Sequence, residues 1–156
     1  MMTDLRSISG AGTEDERAAH EKCARLARSH YENFPVLGPL LLPSERRDLA
    51  AIYAFCRTTD DLGDEAEGDR VVLLETWRQQ VDAALAGHPP AEEPILVALA
   101  RTARARALDP ELFFRLIEAN RRDQIFHRYP DRAALLEYCE HSATPVGRMV
   151  LAIAGA

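Results

Sequence analysis

The stretch Ala51-Ile52-Tyr53-Ala54-Phe55-Cys56-Arg57-Thr58-Thr59-Asp60-Asp61-Leu62-Gly63-Asp64-Glu65 decides how this chain is read. Its first part carries apolar residues at helical spacing, joining Leu49 and Ile52 to Phe55. Its last part is acidic: Asp60, Asp61, Asp64, Glu65, Glu67 and Asp69 follow one another with no basic residue between. Asp60 and Asp64 are four apart, as are Asp61 and Glu65, so each pair shares a helix face and repels. A helix C-terminus already carries partial negative charge and favours cations. The arrangement is therefore unfavourable twice over, and a hard divalent cation would relieve both effects. Magnesium takes one or two carboxylates and completes its shell with water and phosphate oxygens. Arg57 and Tyr53 lie one and two turns before Asp60, so positions 53, 57, 60 and 64 form one stripe. An arginine fork matches phosphate oxygens, and a tyrosine hydroxyl adds a donor. The plain alternative is a solvated acidic helix end with Arg57 in an ordinary ion pair.

Helical patterning extends outward from this segment in both directions. Thr13 and Glu16 make a capping box, which predicts a loose tail over 1–12 and a helix from Thr13 to about Tyr31. Asn33 to Pro43, with three prolines, reads as a buried connection, and Ser44 as the cap of the central helix. Leu73, Leu74, Trp77, Val81 and Leu85 mark a third helix ending near Gly87. A fourth covers about Ile95 to Ala107. Asp109-Pro110 opens a fifth, Pro130-Asp131 a sixth and Thr144-Pro145 a seventh. No stretch alternates with period two. The fold class expected is all-α, about seven helices in one unit. Met149 to Ala156 is apolar without a polar cap, which reads as a helix still running where the sequence stops, hence as part of a longer protein.

The 156 residues carry 19 Lys+Arg against 25 Asp+Glu, a formal net charge of −6. That balance argues against nucleic acid as a partner. Cys23, Cys56 and Cys139 are scattered and lack zinc-ligand spacing, which fits reduced thiols in a cytoplasmic protein. No apolar run reaches the length of a membrane span. Arg101, Arg104 and Arg106 read as a solvated helix face, with peripheral contact to anionic headgroups as the alternative. Asn120, Asp123 and His127 continue the apolar stripe of Phe113, Leu116 and Ile117. They either point into a polar part of a cavity or surface into water. Nucleophile-elbow, P-loop and dinucleotide-fingerprint motifs are absent.

Three further segments complete a pattern: His30-Tyr-Glu-Asn-Phe-Pro-Val36, Leu41-Leu-Pro43, and Tyr138-Cys139-Glu-His-Ser142-Ala-Thr-Pro-Val-Gly147. Together with Ala51–Glu65 they resemble the squalene/phytoene synthase family, and most of all its hydroxysqualene synthase branch. The resemblance runs from about Arg28 to the last residue. It implies an isoprenoid synthase-type helical bundle around an apolar cavity, of which residues 13–156 would be the N-terminal half. By resemblance Asp60 and Asp64 match the first aspartate-rich motif and would hold Mg²⁺, with Asp61 as a further participant. Arg57, Tyr53, His30 and Asn33 match positions near diphosphate, although Asn33 stands where many relatives have Ser. Phe34, Tyr138 and Asp123 would line the cavity. The family's second aspartate-rich motif is not in this sequence, so the chain by itself is expected to be inactive. The activity implied is Mg²⁺-assisted ionisation of presqualene diphosphate and water capture. Alternatives are head-to-head condensation of farnesyl diphosphate or a related prenyl diphosphate, and a non-catalytic helical remnant.

Overall fold

The computed structural model describes residues 7–29, 41–126 and 128–155, with side chains from residue 14 onward. Seven helices and no strand occur among the described residues. They are α1 (Ser7–Ser29), α2 (Pro43–Asp64), α3 (Arg70–Leu85), α4 (Pro94–Ala105), α5 (Pro110–Asp123), α6 (Arg132–Ser142) and α7 (Thr144–Ala154). His30, Asn33, Phe34 and His127 lie outside the described residues, as does most of the proline-rich connection.

Local chemistry explains most of the boundaries. Asp69 accepts from the backbone N–H groups of Val71 and Val72 at 3.1 and 3.2 Å. Asp109 accepts from Glu111 at 3.0 Å and Asp131 from Ala134 at 2.8 Å. Each aspartate satisfies amides that have no partner within the helix. Prolines occupy the first turn of α2, α4, α5 and α7, where no N–H is missed.

Three expectations are corrected. Helix α1 begins at Ser7, not Thr13. No proline interrupts residues 7–12, and a capping box marks where a helix can start without preventing one from running through it. The cap position of α2 is Leu42, not Ser44. Pro43, with φ preset for a helix, takes the first helical position, and the Leu42 N–H donates to Glu45 Oε2 at 2.8 Å. Finally, α7 does close. Gly155 adopts φ +77° and returns its N–H to Leu151 O, a left-handed terminus that glycine adopts without strain. Only Pro145, Met149 and Ile153 of α7 are buried, so its apolar run is exposed on the opposite side.

Helix α2 is central, packing against α1, α3, α4, α5 and α7. Its apolar stripe meets α3 and α5 in an aromatic cluster. Phe55 lies 6.3 Å from Trp77, nearly parallel, and 5.2 Å from Phe113, edge-on. These spacings suit ring quadrupoles. The Trp77 Nε1–H donates to Thr59 Oγ1 at 3.0 Å, and that hydroxyl donates to Phe55 O at 2.9 Å. Both polar groups are buried and both are satisfied, as a dry core requires.

One buried carboxylate ties the other end of α2 to the rest. Asp48 is 2% exposed and accepts from Arg106 Nε at 2.7 Å. The same guanidinium donates to Ile153 O at 3.2 Å. Arg106 is thus a bridge between α2 and α7 and no part of a solvated basic face. Arg101 is also engaged, by Glu16.

Candidate functional site

The last turn of α2 is held by α5 and by the start of α3. The Asn120 amide donates to Asp60 Oδ1 and to Leu116 O, both at 3.2 Å. The buried Gly63 lies opposite it: a Cβ there would meet Asn120 Oδ1 at 2.7 Å. Absence of a side chain at 63 is what lets Asn120 reach Asp60. Gly63 O, near the helix end, accepts from Gln124 Nε2 at 2.9 Å and from Arg70 Nη1 at 3.2 Å. Arg70 also donates to Ala66 O at 3.0 Å. Arg70 therefore supplies a cation to the helix C-terminus, which offsets part of the unfavourable dipole.

The acidic side chains divide into two sets. Arg57 Nη2 lies 2.6 Å from Asp61 Oδ1 and 3.1 Å from Glu65 Oε1. Asp61 first and Glu65 second raise the pKa of the guanidinium above its ordinary value. Asp60 and Asp64 are not in this ladder, and both are exposed. The Asp60 carboxyl is raised above the ordinary carboxylate range. Loss of hydration is the largest cause, Asp64 adds to it, and the Asn120 hydrogen bond opposes it. The residue is open to solvent on one side, while protein crowds its carboxyl on the other. Asp61, expected beside Asp60 and Asp64, instead turns to Arg57.

A cleft of about 230 Å³ opens between α2 and α7, lined by Leu49, Ile52, Tyr53, Cys56, Arg57, Asp60, Val146 and Val150. Its lining is mostly apolar, and one cation and one anion, Arg57 and Asp60, are part of it. Burial raises the Tyr53 hydroxyl above its usual pKa, with Arg57 opposing. Burial also pushes the Cys56 thiol up to about 12, so it stays protonated at neutral pH. Stripe residues 53, 57 and 60 are thus brought together on one cleft. Asp64 follows one turn beyond.

Asp123 and Tyr138 are also brought together, but not among the residues lining this cleft. Tyr138 donates to Asp123 Oδ2 at 2.6 Å, and Tyr129 to Asp123 Oδ1 at 3.4 Å. The two rings lie 4.9 Å apart. Burial and the Asp123 hydrogen bond both raise the Tyr138 hydroxyl. The pair fastens α6 to the end of α5. Phe55 and Phe113 are core residues.

The donors fit a magnesium ion as far as their number and type allow. Among the described residues no three of His, Cys, Asp and Glu converge on one point. Asp60 and Asp64 supply two hard oxygen donors that Arg57 leaves unpaired. That matches an ion completing its shell with water and phosphate and would not match a closed protein-only cage.

The sequence model of squalene/phytoene synthase matches residues 27–156. The chain belongs to the squalene/phytoene synthase family. A hydroxysqualene synthase of Zymomonas mobilis is 39% identical over 125 residues, 77% of this chain and 40% of that protein. A phytoene synthase of Arthrospira platensis is 35% identical over 140 residues, 88% of this chain and 44% of that one. The crystal structure of squalene synthase HpnC from Alicyclobacillus acidocaldarius superposes with TM-score 0.83 at 46% identity. It covers 90% of this chain and 52% of that one. The chain therefore spans about half the length of its relatives. The isoprenoid synthase-like all-α fold and the family read from the motifs both hold. No helix among the described residues is long and apolar enough to cross a membrane.

Several members of the site escape sequence reasoning. Val146 and Val150 form the second wall; the sequence marks Val150 only as part of a helix stripe, and Val146 as part of a family segment with no role attached. Gln124 and Arg70 carry no motif, and Gly63, inside the acidic motif, carries no sign that it makes room for Asn120. Asn120 had a signal, a polar residue continuing an apolar face, but not one that named its partner.

Proposed function

We propose that this chain supplies the diphosphate-ionising face of a hydroxysqualene synthase acting on presqualene diphosphate. The observation that carries the reading is the cleft: apolar residues from α2 and α7 lining it together with Arg57 and Asp60. A diphosphate on a long hydrocarbon needs that pairing of surfaces.

Leu49, Ile52, Val146 and Val150 take the hydrocarbon and exclude water. Arg57, steered by Asp61 and Glu65, offers donors to phosphate oxygens, and the Tyr53 hydroxyl adds another. Asn120 holds Asp60 in orientation. Asp60 and Asp64 would hold Mg²⁺, which neutralises charge that develops on the leaving diphosphate. The C–O bond breaks heterolytically, and diphosphate leaves with the electron pair. Water adds to the carbocation and loses a proton, giving the alcohol.

Head-to-head condensation is the second reading. It is favoured by relatives named phytoene synthase and by a presqualene diphosphate synthase of Zymomonas mobilis, 33% identical over 123 residues. Product analysis separates the two. The protein encoded by the whole reading frame is incubated with Mg²⁺ and presqualene diphosphate, or with farnesyl diphosphate. Hydroxysqualene from the former supports the first reading. Condensation product from the latter, with presqualene diphosphate untouched, supports the second. Full activity of an Asp60→Asn, Asp64→Asn double variant would overturn the metal assignment.

A further inference from the structure

The central helix α2 opposes its own dipole at both ends. Carboxylates crowd the negative C-terminus, as described. At the positive N-terminus, Arg46 and Arg47 stand within the first turn and a half, where cations are disfavoured. Glu45 is the acidic residue of that turn, and it is used by the Leu42 N–H. The acidic end is read as a cation site. The basic end raises the converse question.

A pocket of about 550 Å³ lies there, between α1, the start of α2 and α4, and shares no lining residue with the cleft. Among the described residues Arg17, Arg28, Arg46, Arg47 and Arg101 line it, against Glu16 and Glu21. The two glutamates do not neutralise the five arginines. Arg101 is bound by Glu16. Arg47 lies 3.4 Å from Asp48, a carboxylate already committed to Arg106. Arg17 reaches Glu14 and Glu21 only at 3.9 and 4.0 Å. Arg28 and Arg46 have no carboxylate within ion-pair distance among the described residues.

The second observation is independent of this charge count. His20 lines the same pocket, is 5% exposed, and neither ring nitrogen has a hydrogen-bond partner among the described residues. A buried polar group without a partner is costly, and an N–H lining a basic pocket is suited to donate to an anion. Burial first, then Arg47 and Arg101, hold the ring neutral, against Asp48 and Glu16. A neutral imidazole still donates one N–H, and the α2 N-terminus adds partial positive charge.

We propose that this pocket is an anion site for a phosphate group, held by Arg28, Arg46 and the His20 N–H. A soluble phosphate-bearing molecule and a lipid phosphate headgroup offer the same chemistry. The site uses no residue of the cleft, so it stands whether or not the proposed function does.

NMR of the His20 ring in the intact chain tests this, with EDTA present so that no metal-dependent binding contributes. Inorganic phosphate is titrated first. In parallel, vesicles of phosphatidylcholine with or without phosphatidic acid are tested by co-sedimentation. The expected result is a saturable shift of the His20 resonances and a His20 pKa at least one unit higher with phosphate bound. An Arg28→Gln, Arg46→Gln double variant, its fold checked by circular dichroism, should bind at least tenfold more weakly. Arg132→Gln, on exposed α6, should not. Saturation by free phosphate supports a soluble ligand. Binding only to phosphatidic acid vesicles, lost in the double variant, supports a headgroup. No response to either probe, or equal weakening by Arg132→Gln, overturns the proposal.

Discussion

Replacing Gly63 by Ala isolates the contact that orients Asp60. Gly63 has helical φ, so an added methyl meets no backbone strain. In an open helix it would stabilise by about 1 kcal/mol. Here the methyl would lie 2.7 Å from Asn120 Oδ1. Ordinary contact starts near 3.4 Å, so the amide must retreat by about 0.7 Å (3.4 less 2.7). Its bonds to Asp60 and Leu116 are already 3.2 Å, and a shift of that size takes them out of range. Overpacking costs about 1–3 kcal/mol, and the weakened hydrogen bonds about 1 more. Set against the propensity gain, a net loss of about 1–3 kcal/mol remains. With a urea slope of about 2 kcal/mol/M, the unfolding midpoint by circular dichroism falls by about 0.5–1.5 M. Gly147, inside α7 with nothing within 4 Å of its virtual Cβ, is the control. Gly147→Ala should raise the midpoint. A Gly63→Ala midpoint at or above that of the parent would refute the packing argument.

Thr59→Val leaves the buried Trp77 N–H without an acceptor and should cost about 1–3 kcal/mol. A double-mutant cycle with Trp77→Phe should give coupling of about 1 kcal/mol, and zero coupling would deny the hydrogen bond any energetic role. His20 titrates at about 4 in the folded protein against 6.5 unfolded, so between those values the unfolded chain binds more protons. Stability is complete above pH 6.5 and falls as pH drops toward 4. The loss approaches about 3 kcal/mol, less whatever the open pocket screens. His20→Gln should flatten that acid limb in urea titrations, and an unchanged limb would assign it to other groups. Mg²⁺ should raise the thermal midpoint of the parent and leave an Asp60→Asn, Asp64→Asn variant unmoved. Without metal the double variant should be at least as stable as the parent, because like charges at a helix C-terminus are removed.

What was legible in the sequence was local. Asp69, Asp109 and Asp131 announce helix starts because an N-cap acts on amides two or three residues away. The periodicity of Leu74, Trp77 and Val81 announces the face that α3 buries. Ranking competing local signals was harder: Thr13 could cap, yet α1 runs past it, and Pro43 outweighed Ser44. Within the site, helical spacing places 53, 57 and 60 on one cleft. The same spacing allows Arg57 to reach 60 and 64 or 61 and 65, and only the packed fold shows that it takes 61 and 65. Contacts distant in sequence were invisible. Asp48 and Arg106 are 58 residues apart, Asp60 and Asn120 60 apart, and neither pairing leaves a pattern in one chain.

The bond between Trp77 and Thr59 also gives the molecule an optical reporter. Trp77 is the sole tryptophan, the residue is 4% exposed, and its N–H is anchored on the residue adjoining Asp60. Its emission should lie to the blue while the core is intact. Quenching or a red shift then follows the core of α2 directly. A ligand that moves the last turn of α2 would announce itself in that one chromophore, with no label attached.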